Sequence, residues 1–413
     1  MKSILLVNFD FPPNYGIGGR RWAKLAKGMA MQDVHIDVIK ADPISTTKIS
    51  PWQSDTLSEK INIHSLPRPV LSEWISHPHK SIVGKIKYRL ALSITKLLHR
   101  GTPYDISVGW RKILIRKITE LRAVNHYKTI IATGAPWQML NDLADFVSTN
   151  RDLELIVDFR DPWIGSKNYG IQGLSNSRLE AEMAKQLNVL RISKTVFTPY
   201  DYITENLKSF CFSRGNANTQ FITLEHFYDR DDMPVNLTTS QRSDTYKIIY
   251  AGEVYGGTAQ MLNEIIVDIQ NINAELAIKN KKIELDIYTD TNLNPVHFKA
   301  PSIQLLPSIG KGVFEVIANS DACLILLPPH KKEEKTTKFF EYLPLRKPLL
   351  VASEKGSTLD FVVANQLGFA WKEDGAFKWL DGYLAGKALC NQQFNVEAHE
   401  LQTRAKQVLA YLK

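Results

Sequence analysis

The sequence predicts an α/β protein built from two doubly wound parallel sheets. Short, continuously apolar and β-branched segments alternate with helical patterns along the whole chain, which is typical of parallel sheets covered by helices on both faces. The pattern restarts after a polar stretch, Asp229–Thr245, which divides the 413 residues into halves of roughly 230 and 180 residues. Right-handed crossover connections would wind each half into a sheet whose ligands bind beyond the carboxyl ends of its strands. With two such domains, the cleft between them is the expected site.

The predicted elements follow one another in the same way in both halves. In the first half, a helix starts near Arg20 and the strands are Ile4–Val7, Val34–Ile39, Ile61–Leu66, Thr129–Thr133, Leu153–Asp158 and Thr195–Thr198. In the second half, the strands are Lys247–Ala251, Ile283–Tyr288, Ile303–Leu306, Ala322–Leu327 and Pro348–Val351. A last helix is predicted over Val396–Leu412.

Composition excludes several classes of protein. Hydrophobic residues make up 44% and charged residues 23% of the chain, as in ordinary globular proteins, so wholesale disorder is excluded. No window is apolar and long enough to span a membrane, and Ile4–Val7 is too short for the apolar core of a signal peptide. The three cysteines are scattered, which excludes a disulfide framework and a zinc motif. We expect a soluble protein of a reducing compartment.

The positive charge is concentrated in one stretch. Residues 68–128 hold thirteen Lys and Arg against three acidic residues, a local charge of +10, whereas the whole chain carries +8. This predicts a polyanionic partner, which can be nucleic acid, anionic lipid or a phosphorylated substrate. The alternative is a solvated basic face.

Within this basic stretch, Ser81–Arg100 is predicted to be an amphipathic helix. Its apolar side comprises Ile82, Val83, Ile86, Leu90, Ile94, Leu97 and Leu98, and its basic edge comprises Lys85, Arg89, Lys96 and Arg100. With Trp74 and Trp110 on either side, the pattern indicates a helix lying on an anionic bilayer. The alternative is a helix that packs its apolar side on the sheet.

Three motifs stand at the ends of predicted strands. The loop Asn8–Arg21 holds Gly16, Gly18 and Gly19 before Arg20 and Arg21, which suits either an approaching phosphate or sugar or a tight turn. Its spacing is not G-x-G-x-x-G, so a dinucleotide site is disfavoured. The second motif is Asp158-Phe159-Arg160-Asp161-Pro162-Trp163, which is either part of a site or an ion pair that fixes the strand end.

The third motif runs from Pro328 to Leu343. Thr336 or Thr337 is predicted to cap a helix whose free amides would hold a diphosphate. Glu341 lies one turn inside this helix, where a carboxylate is either exposed on the outer face or held for a specific partner such as the two hydroxyls of a ribose. Glu333 lies in Lys-Lys-Glu-Glu-Lys, a sequence typical of a solvated loop.

Together and in this order, the three motifs resemble glycosyltransferase family 4, in particular bacterial members that build capsule, O-antigen or exopolysaccharide. The resemblance implies a GT-B fold of two Rossmann-like domains facing a cleft, with the acceptor on the first and the donor nucleotide on the second. We expect domains at 1–230 and 231–395, a basic membrane-facing insertion at about 68–128, and a crossover helix at 396–413 that returns to the first domain. The family is retaining and metal-independent.

The resemblance also implies roles for individual residues. Glu341 would bind the ribose, Glu333 would face the donor sugar, and Arg160 and Asp161 would lie near the reacting sugar. Gly310 and Lys311 would lie along the nucleobase. The diphosphate would be met by Gly18, Gly19, Arg20, Gly252, Thr336, Thr337 and Lys338. One departure is that no Arg or Lys follows the first strand of the second domain before Lys279. Either another cation (Arg20, Arg160, Lys335 or Lys338) neutralises the leaving diphosphate, or the enzyme is weak or inactive.

The sequence therefore predicts a retaining glycosyltransferase that uses a UDP- or GDP-sugar, takes a glycan or lipid-linked acceptor and needs no cofactor. We expect it in the cytoplasm, on the inner face of the cell membrane, with no nucleic-acid partner. Asp229-Arg230-Asp231 fits the D-x-D pattern of metal-dependent transferases, but three residues match easily by chance. The alternatives are a GT-B sugar-nucleotide epimerase and a non-catalytic protein that binds anionic lipid or nucleic acid.

Overall fold

The computed structural model describes residues 2–14, 17–44, 50–76, 81–166, 169–215, 218–235, 244–254, 256–293, 300–387 and 389–412. The chain divides into two units. The first comprises Met1–Glu225 together with Gln402–Lys413, and the second comprises His226–Leu401.

The first unit contains a parallel sheet of seven strands in the order β3-β2-β1-β4-β5-β6-β7. The strands are β1 (Lys2–Val7), β2 (Val34–Ala41), β3 (Ile61–Leu66), β4 (Thr129–Gly134), β5 (Glu154–Phe159), β6 (Ser193–Thr198) and β7 (Gln220–Thr223). The helices are α1 (Arg20–Ala30), α2 (Val70–Ser76), α3 (Ile82–Leu98), α4 (Arg111–Val124), α5 (Gln138–Ser148), α6 (Asn176–Ile192) and α7 (Asp201–Phe212).

The second unit repeats this architecture with a parallel sheet of six strands in the order β10-β9-β8-β11-β12-β13. The strands are β8 (Thr245–Ala251), β9 (Lys282–Tyr288), β10 (Ile303–Leu306), β11 (Ala322–Leu326), β12 (Leu349–Ala352) and β13 (Gly368–Ala370). The helices are α8 (Gly256–Leu276), α9 (Val313–Ala318), α10 (Thr337–Tyr342), α11 (Ser357–Ala364) and α12 (Lys378–Leu384).

The strands of the second sheet are buried on both faces. Along β8, Tyr246, Ile248 and Tyr250 belong to one hydrophobic cluster, which includes residues of α8. Ile249 points the other way and belongs to a second cluster, which includes Phe339 and Phe340 of α10. Alternate residues of one strand therefore enter different cores, which explains why the strands are continuously apolar in sequence.

Both sheets reverse their strand order at one position. The reversal lies between β1 and β4 in the first sheet and between β8 and β11 in the second. At such a switch point the loops beyond two neighbouring strands part and leave a crevice, where ligands of open α/β sheets bind. The predicted alternation of strands and helices is confirmed, but the short strands β7 and β13 were not predicted.

The predicted C-terminal helix over Val396–Leu412 is wrong as a single helix. A 3-10 turn at Val396–His399 is followed by α13 (Leu401–Leu409). Between them Glu400 is extended and forms a parallel bridge with Tyr228, whose carbonyl accepts a hydrogen bond from Leu401 N. The last residues then pack on the first unit, where the Tyr411 ring meets Phe197 and Lys2 Nζ donates to the Leu412 carbonyl.

Among the described residues, no helix combines the length and the apolar character that a membrane crossing requires.

Candidate functional site

The end of β8 carries a buried lysine. Gly252, the first residue after β8, has φ of +144°, a conformation that favours glycine. A Cβ built on Gly252 would overlap the ammonium group of Lys338, which comes from α10. Lys338 Nζ also lies 4.7 Å from the centre of the Tyr250 ring. The sequence places no cation directly after β8, but the fold brings one there from 86 residues further along the chain.

Burial lowers the pKa of Lys338 to about 8, and the nearby carboxylates of Glu341 and Glu253 oppose this shift. The ammonium group is therefore charged at neutral pH although it is poorly hydrated. A poorly hydrated cation at a switch point binds an anion more strongly than an exposed one, because less water has to be displaced.

The helix that carries Lys338 is short. Thr336 stands at the N-cap position with extended backbone, as predicted, but its side chain accepts no capping hydrogen bond from the described amides. Thr337 is the first helical residue. Phe339 and Phe340 are buried. Lys338 and Glu341 lie three residues apart on one side of the helix and are half-buried as whole residues, but the ammonium group at the end of the Lys338 side chain is itself buried. The Tyr342 hydroxyl donates to the Ala251 carbonyl over 3.4 Å and ties the helix to the end of β8.

The Glu333 side chain contacts the start of another helix, α11. Its Oε2 accepts hydrogen bonds from Ser357 N at 3.1 Å and from Ser357 Oγ at 2.5 Å. Ser357 is the first residue of α11, so the carboxylate satisfies a free amide at that helix terminus. This contact supplies a structural role for Glu333, and its assignment to the donor sugar stays a prediction.

Gly310 and Lys311 lie in a 3-10 turn after β10. Gly310 has φ of +57°, and a Cβ built there would meet nothing within 4 Å among the described residues. Lys311 Nζ forms an ion pair with the buried Asp232 Oδ1 at 2.6 Å. The turn therefore lies at the same carboxyl edge of the second sheet as Gly252, and its lysine is already paired.

In the first unit, the glycine loop lies against the strand ends of the switch point. A Cβ on Gly18 would lie 2.8 Å from Arg160 Nη1 and 3.5 Å from Asp10 Cβ. A Cβ on Gly19 would overlap the Asp10 carbonyl oxygen. Gly19 therefore needs glycine because backbone atoms lie close to it, and Gly18 lies against the Arg160 guanidinium.

Arg160 and Asp161 form an ion pair, with 2.9 Å between Arg160 Nη2 and Asp161 Oδ2. The Tyr169 hydroxyl donates to the same Oδ2 at 3.1 Å and accepts from Arg160 Nη2 at 3.3 Å. Burial would lower the pKa of Arg160, but Asp161 and Tyr169 outweigh it and the pKa is raised. Burial raises the pKa of Tyr169 to about 12. At neutral pH Arg160 is therefore a cation and Tyr169 a neutral phenol.

A cavity of about 130 Å³ opens beside this network, beyond β1, β4 and β5. Its lining includes Asp10, Thr102, Tyr104, Trp137, Arg160 and Tyr169. Asp10, Tyr104 and Tyr169 were not among the predicted site residues. Asp10 could have been found, because it is a carboxylate just beyond a buried strand. The two tyrosines come from long loops without any local signal.

The other charged residues of these motifs are engaged elsewhere in the first unit. Arg21 Nε donates to the fully buried Asp158 Oδ2 at 3.0 Å, and Trp22 Nε1 donates to the same oxygen at 2.7 Å. Asp158 is thus part of an ion pair that fixes the strand end. The Arg20 guanidinium lies 4.6 Å from the centre of the Trp52 ring and is buried. Arg20 belongs to the first unit and Lys338 to the second.

Comparison with known proteins gives structural likeness only. No protein-family model matches the chain, and no curated protein matches its sequence. Sucrose-phosphate synthase from Thermosynechococcus elongatus is similar in structure, with a TM-score of 0.59 at 11% identity over 99% of this chain and 98% of the other. A trehalose-6-phosphate structure from E. coli, bound with UDP-2-fluoro glucose, has a TM-score of 0.60 at 9% identity over 99% and 95%.

The N-terminal domain of a Candida albicans trehalose-6-phosphate phosphatase is also similar, with a TM-score of 0.60 at 12% identity over 99% and 93% of the two chains. These matches extend over both units. The chain has the GT-B fold. At such low identity the likeness establishes the fold, and the residues at the switch points have to carry any argument about activity.

Helix α3 presents its apolar side to solvent. Ile82, Val83, Ile86, Leu90, Leu97 and Leu98 are all exposed, with Ile86 at 60% and Leu97 at 86%. The residues that face inward are small: Gly84, Ala91 and Thr95 are buried. The basic residues Lys85, Arg89, Lys96 and Arg100 are exposed. The alternative in which the apolar side packs on the sheet is therefore wrong.

The two flanking tryptophans differ. Trp110 is fully buried and its Nε1 donates to the Pro67 carbonyl at 3.0 Å, so its prediction as an interfacial residue is wrong. Trp74 is half-buried, and Lys87 Nζ of α3 lies 5.6 Å from the centre of its ring.

Proposed function

We propose that the chain is a retaining glycosyltransferase that moves a sugar from a UDP- or GDP-sugar to a glycan acceptor, with lipid-linked acceptors of surface polysaccharide synthesis as the best candidates. The observation that carries the proposal is the buried Lys338 ammonium at the end of β8, at the switch point of the second sheet. The GT-B fold supports the proposal, because it provides the two domains that donor and acceptor need.

In this proposal Lys338 binds the diphosphate of the donor, and Gly252 leaves room for the Lys338 ammonium group. When the bond between the sugar and the diphosphate breaks, negative charge grows on the leaving oxygen. A cation fixed there in advance stabilises the transition state without reorganising, and losing one such group costs roughly 10²–10³ in rate. Glu341, on the same side of α10, accepts hydrogen bonds from the ribose hydroxyls. Gly310 and Lys311 lie along the nucleobase.

We propose that the diphosphate is neutralised by protein groups and needs no metal. The Asp229 carboxylate of the D-x-D match accepts a hydrogen bond from Asp231 N at 3.1 Å and thereby stabilises the 3-10 turn Arg230–Asp232. This engagement supports a structural role for the match. Arg160 and Asp161 remain our candidates for the groups that contact the transferred sugar.

We further propose that α3 attaches the protein to the anionic inner leaflet of the cell membrane. An exposed apolar stripe beside exposed cations is the pattern of a helix that lies in a lipid interface. The cations select an anionic leaflet, since each contributes about 1 kcal/mol of attraction near its surface. Tyr104 of the cavity lies near Tyr88 of α3, whose pKa is raised first by burial and further by Tyr104. An acceptor carried by a lipid would therefore reach the cavity close to the attachment surface.

The test is incubation of the full chain with UDP-glucose, UDP-galactose and GDP-mannose, each with and without a lipid extract that contains lipid-linked glycans. We expect one donor to release its nucleoside diphosphate much faster when the extract is present, and the sugar to appear in the lipid fraction. Conversion of the nucleotide-sugar into its epimer without release of nucleoside diphosphate would favour the epimerase. No turnover of any donor, together with no binding of UDP or GDP, would contradict the proposal.

A further inference from the structure

We propose that the cavity beyond β1, β4 and β5 binds one uncharged sugar ring of the acceptor, stacked on Tyr104 and hydrogen-bonded to Asp10 and Arg160. This inference rests on the proposed sugar transfer, and it adds what that proposal leaves open: the size and charge of the acceptor group that the first unit recognises.

The size of the cavity suits a single ring. An engineered cavity of about 150 Å³ in another protein holds one benzene molecule. The cavity here measures about 130 Å³ and is open on one side, so a six-membered ring enters it and the rest of a glycan stays outside.

Tyr104 provides a fixed aromatic surface. One side of the Tyr104 ring packs closely against Gly170, since a Cβ on Gly170 would overlap the ring. Gly170 also has φ of +67°, a conformation that favours glycine. The ring is nonetheless 39% exposed and lines the cavity. Tyr104 N also donates to Thr102 Oγ1 at 3.3 Å, which holds the loop. A sugar ring has C–H groups on its faces and hydroxyls at its edge, so it can stack on such a ring while its hydroxyls reach polar neighbours.

Two polar atoms are available to those hydroxyls. Asp10 Oδ1 accepts from Arg68 Nη2 at 3.3 Å, and no donor among the described residues binds Oδ2. Arg160 uses Nε and Nη2 for Asp161 and Tyr169, whereas Nη1 has no hydrogen-bond acceptor within the described part of the chain. A carboxylate oxygen accepts from a sugar hydroxyl and a guanidinium nitrogen donates to one, so the pair can bind neighbouring hydroxyls.

The charges around the cavity favour an uncharged ring. Each arginine already faces a carboxylate: Arg160 faces Asp161, and Arg68 faces Asp10. The start of α5, where an anion would otherwise bind, is taken by Asp105, whose Oδ2 accepts from Trp137 N at 2.7 Å and Gln138 N at 2.8 Å. Of the charged residues that line the cavity, Asp10 and Asp105 are acidic and Arg160 is the cation, so a phosphate or carboxylate on the ring would meet more negative than positive charge. A phosphorylated or acidic sugar is therefore disfavoured.

The test is ligand-observed saturation-transfer NMR on the full chain. The probes are the methyl α-glycosides of glucose, galactose and mannose, compared with glucose 6-phosphate and glucuronate. We expect saturation transfer to at least one neutral glycoside and weak or no transfer to the two anions. Asp10→Asn and Tyr104→Ala are each expected to weaken binding of the neutral glycoside tenfold or more. Asp10→Asn removes the charged hydrogen-bond acceptor, and Tyr104→Ala removes the stacking surface. Melting temperatures establish that each variant is folded.

A rescue variant and a control variant isolate the cavity. Tyr104→Phe has the ring that Tyr104→Ala lacks, so it is expected to recover the binding that Tyr104→Ala loses. Asp152→Ala removes an exposed carboxylate that pairs with Arg122 elsewhere in the first unit, and it is expected to leave binding unchanged. Preferential binding of glucose 6-phosphate or glucuronate, no transfer to any neutral glycoside, or unchanged binding in folded Tyr104→Ala would overturn the inference. Binding of UDP and GDP is measured in a separate experiment. Failure of the proposed donor site is therefore distinguished from failure of the proposed acceptor site.

Discussion

Lys338 is a residue whose burial opposes stability. Its pKa is about 8 in the folded chain against the ordinary 10.5, because burial disfavours the charged form. Below pH 8 the ammonium is charged in both states and the folded state bears the full penalty. Between about pH 8 and 10.5 the unfolded state binds the extra proton, so this residue's contribution to the free energy of unfolding rises with pH.

We therefore predict that Lys338→Met is at least as stable as the wild type at pH 7, because it removes the penalty and keeps an apolar stem over Tyr250. As the pH approaches 10, the stability of the wild type is expected to rise relative to that of the variant. Denaturant unfolding at the two pH values measures both effects. The matched control is Lys335→Met. The Lys335 ammonium lies 5.0 Å from the centre of the Phe361 ring, so we expect this substitution to be neutral or slightly destabilising. A clear loss of stability in Lys338→Met at pH 7 would mean that the ammonium supports the fold.

A second residue-scale prediction concerns Glu341. Glu341→Ala is expected to weaken binding of the preferred nucleoside diphosphate by about 1.5–3 kcal/mol, because charged hydrogen bonds to the ribose are lost. The fold should persist, since Glu341 is half-buried and the helix is held by Phe339 and Phe340. Calorimetric titration with UDP and GDP measures the effect. Unchanged affinity would remove Glu341 from the ribose site.

Glu333 allows a sharper comparison, because Ser357 shares its contact. Glu333→Ala is expected to lower turnover more than donor binding, and Ser357→Ala is expected to keep turnover, since it removes the hydrogen bond but leaves the carboxylate. Each should cost about 0.5–2 kcal/mol of stability through the start of α11. Equal turnover in the two variants would assign Glu333 a capping role alone.

At the scale of elements, α3 shows what a periodic pattern leaves open. The sequence predicted the amphipathic helix nearly to its ends, and Ser81 caps it by accepting from Gly84 N at 3.1 Å. An apolar stripe usually faces the core, so the pattern cannot tell whether the stripe is buried. In this helix the inner, buried positions hold the small residues Gly84, Ala91 and Thr95, and the larger apolar residues lie on the outside.

We predict that the protein sediments with anionic vesicles at low salt, is released at high salt, and binds neutral vesicles poorly. Changing Lys85, Arg89, Lys96 and Arg100 together to Gln is expected to abolish this binding while donor affinity persists. The charge-matched control changes Lys279, Lys282, Lys355 and Lys378, which are exposed in the second unit, to Gln and should bind vesicles like the wild type. Equal loss of vesicle binding in both variants would mean that net charge alone causes the binding. Loss of donor affinity in the α3 variant would mean that its basic edge contacts the donor.

Over the whole molecule, what the sequence could predict was local. Buried parallel strands appear as apolar runs, so most strands and the two sheets were predictable. The meeting of Lys338 with Gly252 was not, because it depends on how α10 folds back over β8. The same holds for Tyr104 and Tyr169, which reach the cavity from separate loops, and for Trp110, whose burial depends on tertiary packing. The break before α13 was missed because Glu400 pairs with Tyr228, far away in sequence.

Metal independence is also a prediction about the whole enzyme. We expect transfer to continue in EDTA, because Lys338 supplies positive charge to the diphosphate and Asp229 is engaged in its own turn. The measurement is the rate of nucleoside diphosphate release before and after chelation. Loss of activity in EDTA that Mn²⁺ or Mg²⁺ restores would show that a metal neutralises the leaving group.

The most direct measurement is calorimetric titration of UDP and GDP into the full chain and into Lys338→Met, both in EDTA at pH 7. We predict that one nucleotide binds the wild type saturably and that the variant, folded by its melting temperature, binds it about tenfold more weakly or worse, a loss of at least ~1.4 kcal/mol. Equal affinity in the two proteins, or no binding of either nucleotide to the wild type, would contradict a donor site at the end of β8.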